Sequence, residues 1–397
     1  MKIVLVALYD LYSYGIRGLH SVLEKEGHDV KSMFFKSSVY NDKSPTPNEV
    51  DEFVKLILSE DPQLIAIGLR SPLFSLFKDI CSKIRKNTKA KILVGGHHAT
   101  ADPKSLLPYV DFVCIGEGEE MIKNLCYEMK SGNEHNFSYL PSLIENLDDL
   151  EFDYYGNDSI YYLSKPLIEE SKMSIYSSRG CFFHCTFCFE QILKNIYGNK
   201  HKVRRKSVKR VMDEVCRYKG IFPNLKEIVF SDPNFTWDEQ WIRDFSKEYS
   251  KTGLSFHCFG NTELVTENML KDLCNAGMNV ISFGIQSASP RMLRKYNRKT
   301  TLDKALKVSE MCTKLGLQPR FDFIINAPFE NANDWKLTKE FINKLSRPNI
   351  IRNFELKFFP GTPLTKESLE QNIISEDYIV GNDGCRFGYW FFAYEII

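Results

Sequence analysis

The sequence predicts an α/β protein of two successive units, an N-terminal doubly wound parallel sheet followed by a partial (β/α)6 barrel. Three observations predict it. The chain has 397 residues, beyond the size at which a single hydrophobic core keeps growing, so two cores are expected. Over residues 1–130, and again over 171–365, short apolar runs alternate with helical periodicities, the pattern of parallel strands joined by helical crossovers. Between them, residues 131–170 are rich in Asn, Ser, Asp, Tyr and Pro with no sustained period and read as a linker.

Composition narrows the class. With 43% hydrophobic and 26% charged residues, the chain reads as globular rather than disordered or fibrous. Fifty-two basic residues against 51 acidic ones give a formal charge of +1, so no bulk field favours nucleic acid or an anionic membrane. The apolar start ends at Asp10 without a small-residue cleavage site and reads as a buried strand, not a signal sequence. No apolar run approaches the ~20 residues of a spanning helix. A cytoplasmic protein with no nucleic-acid or membrane partner is expected. Eleven cysteines, an odd number, suit thiols or metal ligands in a reducing compartment better than a disulfide framework.

In the first unit, strands are expected at Ile3–Ala7, Val30–Phe35, Leu64–Leu69, Lys91–Val94 and Phe112–Ile115. Val50, Phe53, Val54 and Ile57 recur at helical spacing and predict one buried helix face. Open sheets of this kind bind ligands beyond the carboxyl ends of their strands. The informative loops are therefore Asp10-Leu11-Tyr12-Ser13-Tyr14-Gly15, Ser71-Pro72-Leu73, Gly95-Gly96-His97-His98 and Gly116-Glu117-Gly118-Glu119. A glycine pair after a strand by itself usually serves a tight turn or close packing. Here Gly95 and Gly96 would also admit a flat, bulky ligand to the backbone, and the Ser71 hydroxyl would hydrogen-bond it. His97 and His98 are, by residue type, more often packing or loop histidines than ligands.

The second unit shows strands near Ser174–Ser177, Glu227–Phe230, Ser255–Phe259, Val280–Phe283, Phe321–Ile325 and Phe354–Phe359, with helices between them around Val208–Val215, Met269–Cys274 and Leu302–Leu315. Six strands are too few for a closed eight-stranded barrel, so an open one is expected, with its site at the carboxyl ends. The first strand-following loop contains Cys181-Phe182-Phe183-His184-Cys185-Thr186-Phe187-Cys188. Three thiolates so spaced can ligate three irons of a four-iron cluster, and the missing fourth cysteine leaves one iron open to an exchangeable ligand. Zinc sites prefer two separated pairs, and no CxxC partner occurs elsewhere. Most of the other cysteines, Cys81, Cys114, Cys126, Cys216, Cys258, Cys274, Cys312 and Cys385, lie in apolar runs and read as core thiols; Cys258 and Cys385 sit near a strand end or a Gly-rich turn.

CxxxCxxC with an aromatic before the last cysteine, here Phe187, is the signature of the radical S-adenosylmethionine (SAM) superfamily, which the chain resembles. The resemblance implies a [4Fe-4S] cluster on Cys181, Cys185 and Cys188, and SAM beside Phe187. It places Ser231-Asp232-Pro233-Asn234 where the family has a glycine-rich segment receiving the SAM amino group, with Asp232 as a substitute acceptor and Asn234 beside it. Phe283-Gly284-Ile285-Gln286-Ser287 resembles the family's GIES segment, Gln286 taking the glutamate position with Ser287 after it. Phe323 to Glu330 resembles FIIGLPGE, with Asn326 in place of glycine, and Phe359 to Leu364 resembles PGTPL. In the first unit, Asp10, Tyr12 and Gly15, then Ser71 and Leu73, then Gly95 and Gly96 resemble in order the D-x-H-x-x-G, S-x-L and GG pattern of flavodoxin-like cobalamin-binding domains, with His97, His98, Glu117 and Gly118 adjacent. Tyr12 stands where that family often has a cobalt-ligating histidine, which implies a corrin bound without imidazole below the metal.

The two resemblances together imply an enzyme. The cluster would cleave SAM to methionine and a deoxyadenosyl radical that takes hydrogen from an unactivated carbon. Cobalamin, methylated by SAM, would pass the methyl to carbon or phosphorus of a small-molecule or peptide substrate, making the chain a methyltransferase. A low-potential electron donor, flavodoxin or ferredoxin, is implied. Two other readings use part of the same features: a non-methylating radical SAM oxidoreductase, cyclase or mutase whose front unit is a relic or binds substrate, and a non-catalytic cobalamin carrier or sensor, against which the three cysteines argue. Residues 366–397 form an aromatic-rich tail, densest over Gly384 to Phe392, that would line a pocket or pack on the barrel. Arg291 and Arg320 are candidates for an anionic group, although structural pairing is the commoner role.

Overall fold

Six of the seven residues of β1 (Lys2–Leu8) are buried, as a parallel strand covered by helices on both faces must be. In the computed structural model, which describes residues 1–38, 43–132 and 142–379, β1 pairs in parallel with β2 (Asp29–Phe35) on one side and β3 (Leu64–Gly68) on the other. Beyond β3 follow β4 (Lys91–Gly95) and β5 (Phe112–Val113). A strand not expected from the sequence, β6 (Ile160–Tyr162), adds to β2 in parallel, giving the order β5-β4-β3-β1-β2-β6. It comes from the segment read as a linker. Three residues are too few to carry a period, and their pairing is decided by tertiary contact: Tyr161 stacks on Phe34 and Tyr162 on Phe35.

The chain leaves β1 toward β2 on one side and returns to β3 on the other, so the switch point of the sheet lies between β1 and β3. On one face packs the helix Pro47–Ser59, begun by a capping box between Thr46 and Glu49 with Pro47 in its first turn. Its buried residues are Val50, Phe53, Val54 and Ile57, set against Val4, Val6, Ile65 and Ile67. The other face is continuous with the second unit: Leu5, Leu23 and Ile122 share one buried cluster with Val211, Tyr218 and Ile228.

The second unit begins with β7 (Lys172–Ile175) and the short β8 (Ser178–Arg179), which pairs in antiparallel fashion with β9 (Arg204–Arg205). Then come β10 (Glu227–Phe230), β11 (Ser255–Gly260), β12 (Met278–Gln286), β13 (Arg320–Ile325) and β14 (Ile350–Glu355). Six parallel strands run β14-β13-β12-β11-β10-β7, and the two ends are not paired with each other, so the barrel is open. β14 lies earlier than expected. Its ladder with β13 runs from Ile350 to Glu355, whereas Phe358, aromatic but past the ladder, is buried in a satellite cluster with Met292, Tyr296 and Leu364. Among the described residues no helix is long and apolar enough to cross a membrane. The aromatic run from Gly384 to Phe392, with Cys385, lies outside the described residues.

Candidate active site

The carboxyl ends of the two sheets face each other. His97, just past β4, meets Phe189 of the cysteine loop edge-on at 4.4 Å and Phe359, past β14, at 6.5 Å. Tyr14, past β1, meets Tyr176, past β7, at 4.6 Å. His97 contacts both units and is still exposed, so these loops border an open cleft rather than a sealed seam.

The cysteine loop is held at both ends. At its start Gly180 has φ +93°, and a Cβ there would lie 2.8 Å from the Lys202 carbonyl oxygen; only glycine lets β8 pass β9 and turn into Cys181. Upstream, the Asp232 carboxylate accepts hydrogen bonds from Ser177 N–H (3.3 Å), the Ser177 hydroxyl (2.9 Å) and the Ser178 hydroxyl. On the far side the segment Lys295–Arg298 braces the loop. Thr186 donates to the carbonyls of Tyr296 (3.0 Å) and Lys295 (2.8 Å), Asn297 Nδ2 donates to the His184 carbonyl (2.9 Å), and Arg298 Nη1 lies 3.5 Å from Cys185 Sγ. Cys185 is buried, and Cys181 and Cys188 are half-buried.

Burial raises the pKa of the Cys181 thiol and pushes that of Cys188 up to about 12, with Glu190 and the neighbouring cysteines adding to the effect. Such thiols ionise together only when a cationic centre takes up their charge. The donor set therefore fits an iron–sulfur cluster, whose thiolates sit on separate irons. Among the described residues no three His, Cys, Asp or Glu side chains converge as one metal ion would require.

The residues carried over for SAM lie at the ends of β10, β12 and β13 and beside the loop. Asn234 is 5% exposed and its Nδ2 has no partner, a free donor at the strand end where the resemblance places SAM. Asp232, by contrast, already accepts three hydrogen bonds and is 1% exposed; the structure occupies it in anchoring Ser177 and Ser178, not in waiting for an ammonium group. Phe187 packs edge-on against Tyr296 at 5.3 Å. Gln286 has φ +73° where the β12–β13 register shifts, a strained backbone of the kind that collects at binding sites. Ser287 is buried, its hydroxyl accepting from Ser289 N–H at 3.1 Å. Asn326 has φ +56°. Asparagine tolerates this left-handed conformation, so the turn survives the loss of the family's glycine. Arg291 pairs with Asp334, a structural role.

In the first unit Asp10 accepts from Ser13 N–H at 3.1 Å and lies 3.7 Å from Arg70, across the switch point. Tyr12 packs, half-buried, against the core. Gly15 is exposed with no atom within 4 Å of a built Cβ, so the space beside it is open. Gly96 has φ +96°, and its Cβ would lie 2.9 Å from the Leu69 carbonyl oxygen, so the fold itself demands glycine there. Gly95 and Gly118 both pack on Cys114, and Leu73 is in the core. His98 and Ser71 pair with each other: the fully buried imidazole lies 3.0 Å from Ser71 Oγ and 3.2 Å from Ser105 Oγ. Glu117 belongs to the seam between the units, where Arg204 and Arg179 hold its carboxylate at 2.5 and 3.3 Å. Sequence reasoning missed Arg179, Arg204 and Arg298, none of which stands in a spacing that announces its partner.

Burial lowers the His98 pKa from 6.5 to about 4, against the opposing pull of Asp102. An unfolded imidazole takes its proton near 6.5. Between about pH 6.5 and 4 the unfolded chain thus binds a proton that the native one refuses, and stability falls as pH drops across that window, then levels off. His98→Gln is expected to flatten this slope in urea midpoints measured from pH 7 to 4; His20, lowered to about 4, and His257, to about 3, keep part of it. An unchanged slope would contradict the assignment.

Comparison with known proteins agrees with this architecture. The model of the radical SAM superfamily matches residues 175–342, and that of the B12-binding domain matches residues 2–126. The chain carries a B12-binding domain followed by a radical SAM domain. These two domains imply a [4Fe-4S] cluster with SAM, and cobalamin, as its cofactors. The chain is 27% identical to an uncharacterized methyltransferase of Pyrococcus horikoshii, over 91% of this chain and 79% of that one. It is 24% identical to the cytidylyl-2-hydroxyethylphosphonate methyltransferase of Streptomyces wedmorensis, over 93% and 79%. In fold it is similar to the radical SAM methyltransferase TsrM of Kitasatospora setae, solved with tryptophan and a SAM analogue bound (TM-score 0.72, 15% identity, 93% of this chain and 76% of that one). The TsrM structure with cobalamin and a [4Fe-4S] cluster bound gives a TM-score of 0.69 at 16% identity, over 93% and 75%.

Proposed function

We propose that the protein is a cobalamin-dependent radical SAM methyltransferase that methylates an unactivated carbon or a phosphorus of a small molecule or peptide. The observation that carries this reading is the facing of the two sheets' carboxyl ends across one cleft, with His97 touching Phe189 and Phe359. Supporting it are two relatives named methyltransferases, one acting on a nucleotide-linked phosphonate by its name.

When bound, the cluster and SAM supply reductive cleavage of a carbon–sulfur bond, and cobalamin supplies methyl transfer. Cys181, Cys185 and Cys188 would hold the cluster. Asn234, Phe187, Gln286 and Ser287 would border SAM, while Asn326 and Asp232 shape the strand ends around it. The loops Asp10–Gly15, Ser71–Leu73 and Gly95–His98 would border the corrin, and Glu117 and Gly118 fix how that unit sits. Tyr12, where the family often has a histidine, would offer a bound corrin a phenol, a poorer cobalt ligand than imidazole. Electrons would come from an external low-potential carrier of the flavodoxin or ferredoxin class.

SAM labelled in its methyl group tests the reading. Anaerobic turnover with cobalamin is expected to move label into a product other than methionine. Deoxyadenosine formation with no labelled product would instead favour a non-methylating radical reaction.

A further inference from the structure

Arg298 stands between two things that no sequence motif connects. One guanidinium nitrogen, Nη1, lies 3.5 Å from Cys185 Sγ. The other, Nη2, donates to the Gly284 carbonyl. Gly284 lies in the bulge of β12, two residues before Gln286, where the backbone takes φ +73° and the ladder with β13 shifts register. The third nitrogen, Nε, is buried with no partner. Among the described residues no carboxylate pairs with this cation; its charge is directed at a sulfur, a carbonyl and the Phe183 ring, 5.9 Å from the guanidinium carbon. Asn297, at φ +47°, turns the chain so that its own amide reaches the His184 carbonyl at 2.9 Å while Arg298 reaches the next residue, Cys185.

We propose that Arg298 is a positioning residue that sets the redox poise of the cluster and ties it to the SAM-binding bulge of β12. A hydrogen bond and a positive charge at a cluster sulfur stabilise the state with the extra electron and so raise the reduction potential. The fork shape of the guanidinium matters as well. It serves two acceptors at fixed spacing, which a lysine ammonium on a flexible stem does not. A ligand that shifts Gln286 therefore pulls on the same side chain that touches Cys185. This inference rests on the cluster and SAM assignments and holds whether or not the reaction is methyl transfer.

The test uses the full chain, reconstituted anaerobically, as wild type, Arg298→Met and Arg298→Lys, with iron and sulfide content measured first. Cluster reduction is then titrated by electron paramagnetic resonance with and without SAM. Arg298→Met is expected to keep its iron and sulfide and to lower the reduced-to-oxidised ratio about tenfold at a fixed applied potential, equal to about 59 mV for a one-electron couple. Arg298→Lys is expected to recover most of that ratio, because it keeps the charge, yet to lose the change in resonance that SAM causes in wild type, because it cannot hold both acceptors. Two fully loaded variants with wild-type potentials would overturn the proposal. If Arg298→Met fails to load, the lysine variant decides: a wild-type response to SAM in that protein overturns the coupling. Loss of methyl transfer with the potential unchanged also overturns it, and leaves the proposed function untouched.

Discussion

Cys185→Ala is expected to yield a protein that takes up almost no iron or sulfide on anaerobic reconstitution and forms no deoxyadenosine from SAM. Three thiolates are the minimum that holds a cluster with one open iron, and the CxxxCxxC loop supplies no spare sulfur. Cys185 is also the most costly of the three to remove. It is 6% exposed, and its sulfur is the acceptor for Arg298 Nη1. Without it, a guanidinium whose Nε already lacks a partner keeps, among the described residues, one hydrogen bond, to Gly284, beside the Phe183 ring, and an uncompensated buried donor costs about 1–3 kcal/mol. Cys181→Ala should therefore lose the cluster equally but unfold at higher urea than Cys185→Ala. Absorbance, iron and sulfide analysis, and a urea titration of both apo variants check this. A Cys185→Ala protein that retains full iron and cleaves SAM would remove the cluster from this loop altogether.

What could be read from the sequence is what is encoded locally. The alternation of apolar runs placed β1 to β5 and five of the six barrel strands, with β14 set four residues too late, because each strand or helix announces its own period; the buried face Val50, Phe53, Val54, Ile57 is such a case. CxxxCxxC was legible because three ligands to one cluster fall within eight residues. The missed features are decided by distant partners. Asp232 reads as a free acceptor until Ser177 and Ser178, more than fifty positions earlier, fold onto it. Adjacent His97 and His98 have opposite fates because the helix His97–Ala101 turns one toward the cleft and the other into the core beside Ser71. Arg298 and Cys185 are 113 positions apart, and no composition or spacing joins them. Asn326 teaches the converse: a departure from the family's glycine that leaves the local turn intact, since the backbone needs only a residue at ease at φ +56°.

The seam between the units offers the second large effect, in stability rather than chemistry. Glu117, its side chain 13% exposed, faces Arg204 at 2.5 Å, whose side chain is 6% exposed, and Arg179 at 3.3 Å; Arg179 also pairs with Glu119 at 2.6 Å. The same carboxylate accepts from Ile144 N–H, and the Glu117 backbone N–H donates to Tyr197. Glu117→Ala would leave Arg204 as a buried charge without its partner, a change that costs about 3–5 kcal/mol, whereas losing an exposed pair costs about 0–1 kcal/mol. Lys25–Glu151, with Lys25 68% exposed, provides that control through Glu151→Ala. Because Arg179 lies two residues before Cys181, Glu117→Ala should also slow cluster uptake, while Glu117→Gln, which preserves hydrogen bonding but not charge, should fall between. Cobalamin binding separates this role from a direct one: if Glu117 acts through the seam, folded Glu117→Gln binds the corrin as wild type does. A Glu117→Ala protein as stable as Glu151→Ala would mean that the two units are held by their shared apolar core and that the ion pairs merely decorate it.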